Sequence, residues 1–238
     1  MGGGSEDTTG TLRGFHVDIV NAVCGVANKN CRLVWDIYAN CWTSEAGERA
    51  RGGSGLMSRW YDACTGWFNT FDRALTVDFT SAFRKSFMGV FYVKSGNPDG
   101  FQWTDLTGKK IGFLDGWAHD EHCLARMGDK ITGVPLDASQ IVHYVTIEDG
   151  VAAVNNGDVS ALFTSTSQDG RGLQIVSDGL PCAKDGGAMM FRKDTPLAAW
   201  WNPAFDRLKE TSYKDICARM DTDHGSRSGA GADVICID

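Results

Sequence analysis

The apolar residues of this chain repeat with two alternating periods, and that alternation limits the fold more than any single motif does. Phe15, Ile19, Val20, Val23 and Val26 recur at helical spacing and run into polar Asn28, Lys29 and Asn30, which predicts a helix over 15–26. Arg32 to Tyr38 then alternates polar and apolar residues, the pattern of a half-buried strand. Ser86 to Val93 is a second β-like run, 149–156 reads as a helix, and Val159 to Thr164 reads as a buried strand. Leu197 to Met220 is helical in pattern, with Pro203 expected to interrupt or restart it. Gly47 to Ser54 reads as a flexible loop, and Ser95 to Gly100 as a turn where the chain leaves one lobe. Helix and strand in repeated succession predict an α/β protein with helices on the faces of a sheet.

Composition removes several classes. The 238 residues can bury a substantial core, as one large domain or two small lobes. No run approaches the roughly 18 apolar residues of a membrane span. Met1-Gly-Gly-Gly-Ser5 has no apolar core, so it reads as an added start or a trimmed mature end rather than a signal peptide. A net charge of −7 supplies no basic stripe for nucleic acid. Eight cysteines without a C-x-x-C pair favour disulfides in an oxidising, extracellular compartment over buried thiols.

Arg73 stands out within 60–80. An always-charged, planar guanidinium beside an apolar run must hold an anion or be paired internally, here with Asp72 or Asp78. Its context, Gly66, Thr70, Arg73 and Val77-Asp78-Phe79-Thr80, resembles the G-x-x-x-T-x-x-R-x-x-x-V-D-F-S signature of the family 3 extracellular solute-binding proteins. Glutamate-receptor ligand domains share that superfamily. Asp105-Leu106, Gly108-Lys109-Lys110, Gly112 and Gly116 resemble the family's D-L-x-G-K-K-V-G-x-x-x-G element, and 186–193 resembles its returning strand. The resemblance spans roughly residues 12 to 220.

The resemblance implies a two-lobed periplasmic-binding-protein type 2 fold, each lobe a mixed sheet flanked by helices, with hinge crossings near Val93 and Gly187. Lobe 1 is then 1–94 plus 188–238, and lobe 2 is 95–187. The family's first strand is not matched, so the apolar run 232–237 is expected either to fill that slot in a permuted arrangement or to form a tail pinned by Cys236. Glutamate-receptor relatives also imply a Cys182–Cys236 disulfide.

In amino-acid-binding relatives the arginine, a hydroxyl and a Gly-Ser/Thr-Thr turn hold the ligand carboxylate, and an acid holds the ammonium. Here Gly66 and Arg73 are kept, but the hydroxyl position is Phe68, the turn is Gly116-Trp117-Ala118, and the acid position falls on Ser165. An ammonium in such a cleft would lack its counter-charge. Trp42, Trp67, Phe68 and Trp117 replace polar anchors with rings. Such rings box a quaternary ammonium, sandwich an apolar or conjugated ligand, or fill the core. His119 and His122, three apart beside Asp120 and Glu121, read as weak metal ligands or as a solvated helix start.

The expected function is a secreted, non-enzymatic protein holding a small molecule in an aromatic-lined cleft between lobes. No cofactor is required. The bound molecule is expected to be a betaine-like cation or a carotenoid-like pigment. A receptor ligand-binding domain for amino acids is the alternative. The dehydratases among the family's relatives need a placed general acid, and these positions offer Ser, Ala and Trp.

Overall fold

The computed structural model describes residues 5–6, 12–46, 48–165, 171–225 and 235–238. They form two compact units: 1–42, 51–86 and 183–238 make the first, and 43–50 and 87–182 make the second. These boundaries differ from the expected lobes. The run read as a first-lobe strand is Met88–Lys94, and its partner strands on both sides belong to the second unit.

In the first unit, helix Phe15–Val26 forms over the predicted residues. It buries Phe15, His16, Ile19, Val20, Val23 and Cys24 against helices Leu197–Thr211 and Tyr213–His224. Pro203 lies inside the first of those C-terminal helices and does not end it. Its missing N–H removes one ladder bond, while Trp201, Ala204, Phe205 and Leu208 bury an apolar face that outweighs the loss. The break comes instead at Ser212, between the two helices.

The sheet of this unit is three antiparallel strands in the order Ala63–Phe68, Gly187–Arg192, Val77–Phe79. The central strand is buried throughout, as a strand covered on both faces should be. Ala188 opposes Trp67 and Met189 opposes Thr65, so Gly66 is an extra residue in its strand. Its φ of +81° is the left-handed conformation that glycine adopts without strain in such a bulge. The bulge re-aims the two aromatic residues that follow it.

Arg32 to Tyr38 does not form the expected strand. Val34, Trp35 and Ile37 are each about two-thirds exposed, and Tyr38–Asn40 is a short 3₁₀ turn. Alternation alone does not make a strand: no described strand edge pairs with this segment. The Gly47–Ser54 region, read as a flexible loop, includes the extended pair Arg51–Gly52 and leads into the helical turn Ser54–Met57, with Gly47 outside the described residues.

The second unit has a mixed sheet in the order Leu173–Ile175, Met88–Lys94, Ala161–Thr164, Ile111–Leu114, Ile141–Tyr144. The last three strands are mutually parallel, and Met88–Lys94 runs antiparallel to its neighbours. Helix Ile147–Asn156 carries the chain between parallel strands; the Thr146 hydroxyl accepts from Asp149 N at 3.1 Å at its start, and Gly157 at φ +82° ends it. Phe91, Phe113 and Phe163 are essentially inaccessible at the centre of the core. Among the described residues, no helix is long and apolar enough to cross a membrane.

All eight cysteines are paired: Cys24–Cys31, Cys41–Cys64, Cys123–Cys182 and Cys217–Cys236. The expected Cys182–Cys236 bond is therefore corrected. Cys182 follows the short strand Leu180–Pro181 on the second unit's sheet, whereas Cys236 packs on helix Tyr213–His224 of the first. Each bond joins residues of one unit. Of the run 232–237, residues 232–234 lie outside the described residues. Ile235 to Ile237 pairs with no described strand, but Ile235 O accepts from Lys85 N at 2.6 Å and Ile237 N donates to Tyr213 Oη at 3.0 Å.

Candidate ligand-binding site

On the first unit, the site residues are placed by the Gly66 bulge and the short helix Phe71–Thr76. Arg73 is buried, with 4% of its surface exposed. Its Nη1 donates to Phe68 O at 3.1 Å and its Nη2 to Tyr38 Oη at 2.9 Å. Arg73 Cζ lies 4.7 Å from the Trp67 ring centroid and 5.8 Å from that of Trp42. Tyr38 stacks on the other residue of this group, with its ring 4.5 Å from that of Trp67. Trp42, Trp67, Phe68 and Arg73 thus come together as one cluster, in which the indoles surround the guanidinium. Trp42 is only 2% exposed.

Gly66 sits against His16. A Cβ on Gly66 would lie 2.2 Å from His16 Cε1, so the imidazole fills the space that any other side chain would take. His16 is itself buried, with its ring edge-on to Phe83 at 5.4 Å. Burial, with the charge of Arg84 as the second cause, pulls its pKa to about 3, which makes it a neutral imidazole at ordinary pH.

Sequence reasoning missed both His16 and Arg84. For His16 a signal existed: with Ile19, Val20 and Val23 it completes an i, i+3, i+4, i+7 stripe, which places it on the buried face. Arg84 carried no such signal. It follows Phe83 at the end of an irregular segment, and its Cζ lies 5.2 Å from the Phe68 ring centroid.

On the second unit, Gly116 takes φ +78° after strand Ile111–Leu114, and Trp117 precedes helix Ala118–Leu124. Asp115 Oδ1 accepts from Gly116 N at 2.8 Å and from Ala46 N at 2.6 Å. Ser44 Oγ donates to Gly116 O at 2.6 Å, so both polar groups of this glycine are engaged within the unit. Trp117 and Ala118 are half-buried, as is Ser165 just past strand Ala161–Thr164.

The expected solvated helix start is corrected at His119 and Asp120. Asp120 is wholly buried, and the His119 side chain is 9% exposed. His119 Nε2 lies 3.0 Å from Asp120 Oδ1, without hydrogen-bond geometry. The rings of Phe87 and Trp117 flank His119 at 5.3 and 5.6 Å, which is why this turn is dry. His122 faces a different cleft, with Glu121, His143, Glu45, Glu48 and Asp115. Among the described residues, no group of three or more His, Cys, Asp or Glu is arranged to hold a metal ion.

Residues 4–220 match the family model described as bacterial extracellular solute-binding proteins, family 3. No curated protein matches the sequence. Among solved structures, a periplasmic His/Glu/Gln/Arg/opine family-binding protein from Silicibacter pomeroyi in complex with lysine is similar at a TM-score of 0.62 and 20% identity, over 94% of this chain and 92% of that one. The arginine-, lysine-, histidine-binding protein ArtJ from Geobacillus stearothermophilus gives 0.59 and 20%, over 96% and 92%. An arginine-specific periplasmic binding protein from Salmonella typhimurium gives 0.60 and 19%, over 92% and 93%. At such identities the likeness speaks for the fold. The family match covers most of the chain, and the chain belongs to the family 3 bacterial extracellular solute-binding proteins.

Proposed function

We propose that this chain is a secreted, non-enzymatic binding protein for a small molecule that it grips largely through aromatic rings. The observation that carries the reading is the cluster on the first unit, where Arg73 is buried with Trp42 and Trp67 against its guanidinium. A cation so enclosed retains its charge while presenting little polar surface, which suits a flat organic ligand better than a fully zwitterionic one. Trp117 and Ala118 supply ring and methyl where relatives place hydroxyls, and Ser165 supplies no charge for an ammonium. The ligand range includes an aromatic-compatible cation and, at the apolar extreme, a conjugated pigment. The four disulfides fit an oxidising, extracellular setting.

A second reading, an amino acid as ligand, is favoured by the similar structures, one of which was solved in complex with lysine. It requires a carboxylate to meet the ammonium from a residue other than Ser165. Native mass spectrometry of protein purified from its source, without added ligand, separates these readings. A retained aromatic or conjugated mass supports the first, and a retained free amino acid supports the second. Protein that retains nothing and binds neither class on titration removes both.

A further inference from the structure

Among the described residues, Arg73 and Arg192 of the first unit are buried and Arg84 is half-buried, and the three are not equally served. Arg192 donates from Nη1 to Leu56 O at 2.8 Å and Tyr61 O at 2.9 Å, and from Nε to Asp194 Oδ1 at 3.2 Å. Arg73 donates to Phe68 O and Tyr38 Oη. Arg84 differs. Its Nε, like that of Arg73, is buried without a hydrogen-bond partner, but among the described residues no hydrogen bond or ion pair reaches the rest of its guanidinium either.

Its position is nonetheless built. Arg84 N donates to Gly187 O, and Gly187 N donates back to Arg84 O at 3.1 Å. A Cβ on Gly187 would lie 2.5 Å from Arg84 Cγ and 2.6 Å from Cδ, so the side-chain stem lies flat on glycine backbone. The guanidinium ends over the ring of Phe68, the residue whose carbonyl accepts from Arg73. Burial pulls the Arg84 pKa below the usual guanidinium range, with the nearby Tyr213 acting in the opposite direction. An arginine so shifted is still cationic at neutral pH. The imidazole beside it, His16, is neutral and offers no negative charge. A half-buried cation that meets no anion among the described residues is left available to an anion from outside the chain.

We infer that Arg84 is an anion anchor of the ligand site, and that the ligand is a planar carboxylate lacking an α-ammonium, its acid group on Arg84 and its flat body on the Phe68–Trp67 surface. This rests on the binding-protein reading above and puts a flat anion in place of the cation in its ligand range. The absence of an α-ammonium fits Ser165, which stands where amino-acid-binding relatives are expected to place an acid.

The test is calorimetric titration of the full chain with benzoate, cinnamate and indole-3-carboxylate, the matching neutral amides, and benzyltrimethylammonium. At least one carboxylate is expected to bind tenfold or more above its amide, the scale for losing a charge-assisted bond to a partly buried guanidinium. Arg84→Gln is expected to bring that carboxylate down to its amide's affinity while leaving the amide unchanged, and Arg84→Lys to retain an intermediate affinity. Melting followed by circular dichroism checks that the variants fold. Should Arg84→Gln fail to fold, Arg84→Lys and the carboxylate-to-amide ratio of the wild type still decide. Carboxylate binding unchanged in Arg84→Gln overturns the assignment and leaves the binding-protein reading standing. So does a wild type that takes only the cation or the amides. A wild type that takes none of these probes overturns the carboxylate class, and native mass spectrometry then decides the broader reading on its own.

Discussion

The guanidinium of Arg73 lies over the indole of Trp67, with Cζ 4.7 Å from the ring centroid. Arg73 is buried and Trp67 half-buried, so the attraction is less diluted by water than a surface contact would be. Trp67→Ala removes that attraction, its stacking on Tyr38, and a large apolar area in a bulged strand. The expected loss is about 2–4 kcal/mol in urea unfolding. Trp67→Phe is expected to lose about 1 kcal/mol, since a smaller ring still covers the guanidinium. Equal losses in the two variants would mean that indole breadth does not matter here.

His16 gives the folded state a pH dependence whose sign follows from its environment. Its folded pKa is depressed to about 3, chiefly by burial and then by Arg84, against an ordinary value near 6.5. Between those values the unfolded chain binds a proton that the folded chain refuses, so stability falls as pH drops through that window and is unaffected by this group above it. The slope approaches about 1.4 kcal/mol per pH unit. His16→Gln is expected to flatten the difference between urea midpoints measured at pH 7 and pH 4.5. Arg84→Gln is expected to raise the His16 pKa, read from the imidazole chemical shifts, because it removes the second cause of the depression.

Local periodicity and motif order were legible in the sequence; relationships between distant segments were not. The stripe from Phe15 to Val26 forms the predicted helix because Phe15, Ile19, Val20 and Val23 pack on the two C-terminal helices, while Val26 at its end stays exposed. Arg32 to Tyr38 has equally clean alternation but no described strand beside it, so period without an edge gives no strand. The cysteine pairs depend on which segments fold together. Cys182 joins Cys123 because both belong to the second unit, a fact no spacing along the chain encodes. Trp42, Trp67 and Arg73 were each singled out as ligand residues, yet their mutual packing depends on a bulge visible in sequence only as one glycine. Arg84 was silent because its significance lies in a missing partner.

Gly66 and His16 form a lock that a double-mutant cycle can measure. Gly66→Ala adds a Cβ at 2.2 Å from the imidazole and forces alanine into φ +81°. The expected loss is about 2–4 kcal/mol, the overlap adding to roughly 1 kcal/mol of backbone strain. In a His16→Ala background the overlap is gone and only the strain remains. The Gly66→Ala loss should therefore shrink to about 1 kcal/mol, a coupling of 1 kcal/mol or more. Additive losses would show that the glycine serves the bulge alone.

The Cys123–Cys182 bond spans a sequence separation of 59, and the Cys24–Cys31 bond a separation of 7. By chain entropy the longer loop restrains the unfolded state more, about 4 kcal/mol against about 2.5 kcal/mol. Packing increases the difference: a Cβ on Gly89 would lie 2.9 Å from Cys182 Sγ, so this sulfur fits closely against strand Met88–Lys94 and its loss leaves a void. Cys24 is also buried, in the last turn of helix Phe15–Val26, but its partner Cys31 lies beside an exposed segment, where the chain relaxes easily after the bond is gone. The double replacement of Cys123 and Cys182 by alanine is therefore expected to lower the calorimetric melting temperature distinctly more than that of Cys24 and Cys31. A larger drop from the short loop would mean that the Cys24–Cys31 bond holds the helix Phe15–Val26, and with it His16, in place by strain that loop entropy does not describe.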